Sequence, residues 1–341
     1  MNRLNSIDSL RGIAIVLMIQ QHFALVLMSV SLADSLPYTA MILLGIFSAP
    51  IFLLLVGMNL PISLEKRKET GETETAISKH VISRGIIIAA IGLLFLLLWQ
   101  NDILHYIGLF ILVTHPLLRF SPRRRIILGI ATTLLSQIQT YFSDYGGELV
   151  FKWQFLRNSW DASQVIHRIF GSKFSATLPL LSLVIFGTVL GSLMVRFLQE
   201  GRMKTFQIGL LKMGSVLLPV GLLGMFCSIP FDECPVLYVV LTMGVALLLL
   251  SGLIWLLEIR KTAAKVLNPL LIYGKLSLSI YIGHIAVWLG ACGVIGVVLQ
   301  LSLYQVLVLL LSCYVSTWVL GALLLRIKNK GPLELFVGRF T

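Results

Sequence analysis

Apolar stretches separated by charged or turn-forming residues recur along the whole chain, and ten of them are long enough to cross a bilayer. They run over approximately 10–33, 38–64, 81–99, 103–120, 125–142, 175–198, 205–229, 236–257, 268–298 and 303–325. The ninth is long enough to be kinked, tilted or broken in two, which would raise the count to eleven. The first is too long for the apolar core of a signal peptide and has no clear small-residue cleavage site, so it reads as a retained span. The pattern predicts an all-α polytopic integral membrane protein. It forms one domain over 1–341, with a single long extracytoplasmic loop at about 143–174.

Composition narrows the class. Of 341 residues, 57% are hydrophobic and 12% charged, against about 45–50% and about 25% in soluble domains. That balance excludes a disordered chain, a collagen and a disulfide scaffold. The net charge of +12 arises from 27 Lys and Arg against 15 Asp and Glu. In a soluble domain such an excess points to nucleic acid; in a membrane chain it holds the topology, and no nucleic-acid partner is expected. With the N-terminus inside, Lys152, Arg157, Arg168 and Lys173 fall in loop 143–174, which leaves 27 − 4 = 23 basic residues in cytoplasmic segments and the adjoining helix ends. The short outside turns carry Asp34, Asp102, Asp232 and Glu233 but no Lys or Arg. This asymmetry predicts an even number of spans with both termini cytoplasmic. Among the four cysteines, Cys227 and Cys234 flank an outside turn, and a disulfide across it is one open reading if that side is oxidising.

Candidate chemistry begins in the first helix, Asn5-Ser6-Ile7-Asp8-Ser9-Leu10-Arg11-Gly12, whose apolar continuation is interrupted by Gln20-Gln21-His22. Ser6 or Asp8 suits a helix cap, and Asp8 reaches Arg11 at i,i+3. Arg11 and His22 are close to three whole turns apart, so they share one face, roughly 16 Å apart along the axis. A structural reading makes His22 a histidine bonded to a neighbouring helix, with the glutamines as glue. The functional reading is favoured, because ionisable residues inside spans mark sites, and imidazole serves as base or nucleophile near neutral pH.

Further polar groups lie in other spans. Ser277, Tyr281, His284 and Trp288 follow i, i+4, i+7, i+11 and predict one stripe on the ninth span. Asp102 and His105 form an i,i+3 pair of the kind that orients an imidazole. Arg84 lies about a turn inside the third span, and Arg123, Arg124 and Arg125 follow Pro122. These cations read either as topology charge or as a receiving surface for an anionic cytoplasmic ligand. There is no His-x-x-x-His pair, so no metal is expected, and no Walker loop or Rossmann glycine fingerprint.

The segment SIDSLRGIAIVLMIQQH, Ser6 to His22, resembles the opening of membrane acyltransferases of the heparan-α-glucosaminide N-acetyltransferase-like group. It is also similar to the family-3 membrane acyltransferases, which carry Arg and His at this spacing in their first helix. NDILHYIGLFILVTHPLLRFSPRRR, GKLSLSIYIGHIAVW and KGPLELFVGRF look like parts of related bacterial ten-helix proteins of poorly assigned function, so the resemblance touches both ends and the middle. The His-Ala-x-Trp segment of the lysosomal-type enzymes is not seen here.

The resemblance implies acyl transfer across a membrane. Acyl-CoA, acetyl-CoA first, enters as co-substrate from the cytoplasm, and its acyl group passes to a hydroxyl or amine of an extracytoplasmic glycan or small-molecule acceptor. Catalytic candidates are His22, His284 and Asp102; donor-binding candidates are Arg11, Arg84, Arg123 and Arg124. The expected location is a prokaryotic plasma membrane. The lipid bilayer is a partner, and a homodimer stays open. A proton-coupled transporter or flippase with His22 and His284 as proton sites is the alternative, although no repeated halves are visible.

Overall fold

A computed structural model describes residues 3–99, 102–142, 174–226, 234–328 and 330–340. Cys227 and nearly all of loop 143–174 lie outside the described residues. Within them every regular element is helical, apart from one isolated parallel bridge between Met28 and Leu301. In chain order the α-helices are α1 (Asn5–Leu27), α2 (Leu36–Gly45), α3 (Ser48–Glu69), α4 (Glu74–Phe95), α5 (Leu104–Thr114), α6 (Pro122–Phe142) and α7 (Phe174–Gln199). There follow α8 (Met203–Phe226), α9 (Pro235–Leu253), α10 (Asn268–Lys275), α11 (Ser277–Gly283), α12 (Gly290–Ile295), α13 (Leu303–Lys328) and α14 (Pro332–Arg339).

Among the described residues, eight helical stretches are long and apolar enough to cross a membrane. Leu104–Arg119 is a shorter apolar one. The fold is thus the all-α polytopic membrane class that the apolar periodicity predicts. Two expected spans are interrupted. The second is divided between α2 and α3. The ninth breaks at Leu276, which separates α10 from α11, and then passes through a π-helical turn at His284–Leu289.

The described chain divides into two compact units, Met1–Phe52 with Leu249–Thr341, and Leu53–Leu248. The first unit is built around α1, whose residues Leu10, Ala14, Ile15, Ile19, Phe23 and Ala24 are fully buried. Helix α10 crosses α1 backbone to backbone. A Cβ added at Gly12 would lie 2.8 Å from the Leu270 carbonyl carbon, and one at Gly274 would lie 2.6 Å from that of Asp8. Only the absence of side chains at these positions permits so close a crossing, the packing that helices in lipid favour. Two tyrosines tie α13 into the same unit: Tyr273 Oη donates to the Tyr314 carbonyl at 2.7 Å, and Tyr314 Oη donates to the Val16 carbonyl at 2.8 Å.

The two ends of α1 are fixed differently from the capping that Ser6 and Asp8 suggest. Leu4 precedes the helix without a side-chain cap. The orphan amide of Ser6 and its hydroxyl donate instead to Glu258, at 3.0 and 3.1 Å. A carboxylate here also suits the positive end of the helix dipole. At the far end, Ser29 N donates to Leu301 O, and Leu299 N and Leu301 N donate to Val26 O and Leu27 O, each at 2.9 Å. That short pairing anchors the chain just after α12 to the end of α1.

The second unit holds α4 through α8 with the rest of α3 and α9. Arg125, at the start of α6, is buried and donates to the Thr188 carbonyl at 2.8 Å and to Ser192 Oγ at 3.0 Å, joining α6 to α7. Helices α6 to α9 border an apolar groove of about 620 Å³, lined in part by Phe186, Phe197, Phe206 and Met243.

Candidate functional site

The first unit brings two of the sequence-predicted residues together. His22, on α1, and His284, at the start of the π turn after α11, meet with Nδ1 of His22 2.9 Å from Nε2 of His284. Their ring centroids are 5.2 Å apart and their planes differ by 14°. Two ring radii plus the nitrogen–nitrogen contact account for that separation, so the rings lie nearly coplanar and meet edge to edge. Tyr281 stands beside them, its ring edge-on to His284 at 5.9 Å between centroids. His284 and Tyr281 are buried. The π turn begins at His284 and so interrupts the α-helical phase between His284 and Trp288. Single π turns of this kind are frequent at functional sites.

The backbone fixes the tautomers. His284 Nδ1 lies 3.0 Å from the Ile280 carbonyl. A carbonyl only accepts, so Nδ1 carries the hydrogen, and in the neutral ring Nε2 is then an acceptor. His22 Nδ1 must therefore donate to it. The basic lone pair of His22 consequently resides on Nε2.

The elements that hold α11 are set by the C-terminal helix. Glu334, in the first turn of α14, accepts from Leu278 N at 2.9 Å, from Ser279 N at 3.1 Å and from Ser279 Oγ. Those amides are the unsatisfied start of α11. Glu334 thereby fixes the helix that carries Tyr281 and His284 at the point where the ninth span breaks.

Arg11 lies on the same helix as His22 and is largely buried. Its Nη1 donates to Asp8 Oδ1 at 3.0 Å, the predicted i,i+3 pair, and to the Gly274 carbonyl at 3.1 Å. Asp8 also accepts from Arg3. The cation thus registers α1 against α10 at the point of their closest approach.

The remaining predicted residues belong to the second unit. Asp102 is buried and accepts from Leu104 N at 2.8 Å and His105 N at 3.4 Å, capping α5, while its carboxylate lies 3.4 Å from His105 Nδ1. Arg84 is exposed on α4, and Arg123 and Arg124 are exposed at the start of α6. The buried member of that basic run is Arg125, which is bonded through Nη1 and Nη2. No group of three or more His, Cys, Asp or Glu suited to a metal occurs among the described residues.

Sequence reading missed Glu258, Glu334, Tyr273 and Tyr314. Glu334 had a local signal, since Gly331-Pro332 with an acidic residue two positions on is a helix start. Glu258 and the tyrosines act across more than 40 residues of chain and had none.

The described residues thus form a polytopic helical membrane protein whose first unit holds a hydrogen-bonded imidazole pair. The family model described as heparan-alpha-glucosaminide N-acetyltransferase, catalytic, matches residues 3–225, which is 223 of the 341 residues. The chain therefore belongs to that family, and it is a membrane acyltransferase of the acetyltransferase type. The matched region contains Arg11 and His22; His284 joins the site through the fold. No curated protein matches the chain.

Proposed function

We propose that the enzyme moves an acetyl group from cytoplasmic acetyl-CoA to a hydroxyl or amine of a glycan or small-molecule acceptor at the outer side of the membrane. The observation that carries this reading is the His22–His284 pair, which aims a basic nitrogen from inside a bundle of membrane-spanning helices. His22 Nε2 takes the proton from the acceptor's O–H or N–H as the oxygen or nitrogen forms its bond to the thioester carbonyl carbon. The C–S bond then breaks, and the thiolate of CoA recovers the proton from His22. In a two-step version His22 Nε2 attacks first, forming an acyl-imidazolium as the C–S bond breaks and the thiolate leaves; the acceptor oxygen or nitrogen then takes the acyl group, which restores neutral His22, and the acceptor's proton passes to the thiolate. His284 acts through His22 in both versions, as a positioning residue.

Donor phosphates are assigned to the exposed Arg84, Arg123 and Arg124. Arg11 is assigned to the first unit, where it holds α1 in register with α10. Asp102 is assigned to the start of α5 and to the orientation of His105. The basic residues near both termini, Arg3, Arg326, Lys328 and Arg339 among them, favour the cytoplasmic side for the face that carries them.

The test is acetyl-CoA binding and turnover with the purified full-length protein. Wild type is expected to bind acetyl-CoA saturably. The Arg123→Gln/Arg124→Gln variant is expected to bind it more weakly, and His22→Ala to bind it normally with turnover lowered by about 10²-fold to 10⁴-fold. Folded wild type that binds no acyl-CoA but drives proton-coupled uptake in vesicles would make the protein a transporter instead.

A further inference from the structure

At the end of the first unit that carries both Arg3 and the C-terminal turn of α13, the fold leaves a hollow of about 490 Å³. Arg3, Lys275 and Arg326 line it from three separate parts of the chain, together with Asn268 at the start of α10. Ile272, on α10, and Leu325, on α13, form its apolar side. No carboxylate is among the lining residues. Of the carboxylates at this end, Glu258 is engaged by Ser6 and Glu334 by the start of α11, while Asp8 pairs with the lining Arg3 and with Arg11. Positive charge near a membrane face is by itself only topology. Here the cations converge on a cavity, and the nearest counter-charge, Asp8, is shared between two arginines.

The surroundings indicate what kind of anion fits. Helix α13 exposes Leu320, Leu323 and Ile327 around Leu325 and Arg326, a face that meets acyl chains in a bilayer. The amphipathic α14 at the same end exposes Phe336, and Phe340 is exposed directly after it, as expected of a helix lying at the interface. A water-soluble phosphate has no use for that apolar flank, whereas a phospholipid uses both halves. Basic pockets between helices at a membrane face take anionic headgroups. We propose that Arg3, Lys275 and Arg326 form a binding site for the phosphate headgroup of an anionic phospholipid, whose chains run along α13. The site is separate from the histidine pair and does not rest on the transferase reading.

Native mass spectrometry of the full-length protein in neutral detergent tests it, with phosphatidylglycerol and phosphatidylcholine of identical chains as probes. Wild type is expected to retain phosphatidylglycerol in preference. Lys275→Gln/Arg326→Gln should weaken that binding by about tenfold or more, the scale of losing two cations beside an anionic headgroup. Lys265→Gln, at an exposed residue outside the hollow, should change nothing. If the double variant melts early, Ala322→Phe fills the hollow without altering charge and should lose the same preference. Equal retention of both lipids, unchanged binding in these variants, or an equal effect of Lys265→Gln would overturn the site. Displacement of phosphatidylglycerol by acetyl-CoA would also overturn it, because the cations would then serve the donor's phosphates.

Discussion

His22 and His284 are 262 residues apart, and neither periodicity nor spacing connects them. Sequence places Arg11 and His22 on one face because both lie on a single regular helix, and it places His284 at a similar depth. The direction of their hydrogen bond comes from the Ile280 carbonyl, which no reading of side chains reveals. That direction makes a sharp prediction about replacements. His22→Ala should lower kcat by about 10²-fold to 10⁴-fold, the usual contribution of a positioned base, while acetyl-CoA binding persists; retained turnover would remove His22 from the chemistry. His284→Leu leaves the His22 Nδ1–H without its acceptor, a loss of about 1–3 kcal/mol where the group is buried. His284→Gln offers a carbonyl oxygen in its place. The glutamine variant should therefore keep more kcat than the leucine variant, with equal KM for acetyl-CoA and a shifted pH–rate profile in both. Equal kcat for the two would assign His284 a packing role only.

At the level of elements, eight of the ten expected segments recur among the described residues as helices able to cross a membrane, and the fourth as a shorter apolar helix, because bilayer-crossing length and apolar composition are local properties. The breaks are less so. The length of the ninth segment announces an interruption, but Leu276 looks like any other apolar residue, and the interruption falls there because Glu334 arrives from a helix 55 residues later. Glu334→Ala should cost about 0.5–2 kcal/mol, as loss of an N-terminal cap does. It should also slow turnover by disturbing the helix that carries His284. The thermal midpoint reads the first effect and kcat the second; a fall in the midpoint with unchanged kcat would separate α14 from the site. Gly274→Val drives a side chain into the Asp8 carbonyl and is expected to destabilise by about 1–3 kcal/mol, as overpacking does. Ala at an outward-facing glycine such as Gly209, which has open space, should leave the midpoint unchanged.

For the molecule as a whole, composition and charge placement carry most of what can be read without coordinates. The excess of Lys and Arg at alternate turns predicts an orientation, and the chain's family follows from a match over 223 residues that includes the first helix. The acceptor leaves no comparable trace, because recognition of a sugar or an amine needs only a few side chains set by tertiary structure. Orientation has a direct check. A cysteine introduced at Arg339 should react with a membrane-impermeant maleimide only in inside-out vesicles, and one in loop 143–174 only in right-side-out vesicles. The opposite pattern would place the donor on the other side and reverse the direction of transfer.

The histidine pair has one more consequence, for the traffic of protons. Counting back from His22, the hydrogen bonds run to His284 and then stop at the Ile280 carbonyl, which has no hydrogen to pass on. Such a chain is a cul-de-sac. A proton accepted at His22 Nε2 can shift the shared hydrogen to His284 Nε2, and along this line the next group is a carbonyl that has none to pass on. A catalytic base that borrows a proton from one reactant and returns it to another asks for just that. A conduit through this pair would need a group that both accepts and donates where the Ile280 carbonyl stands.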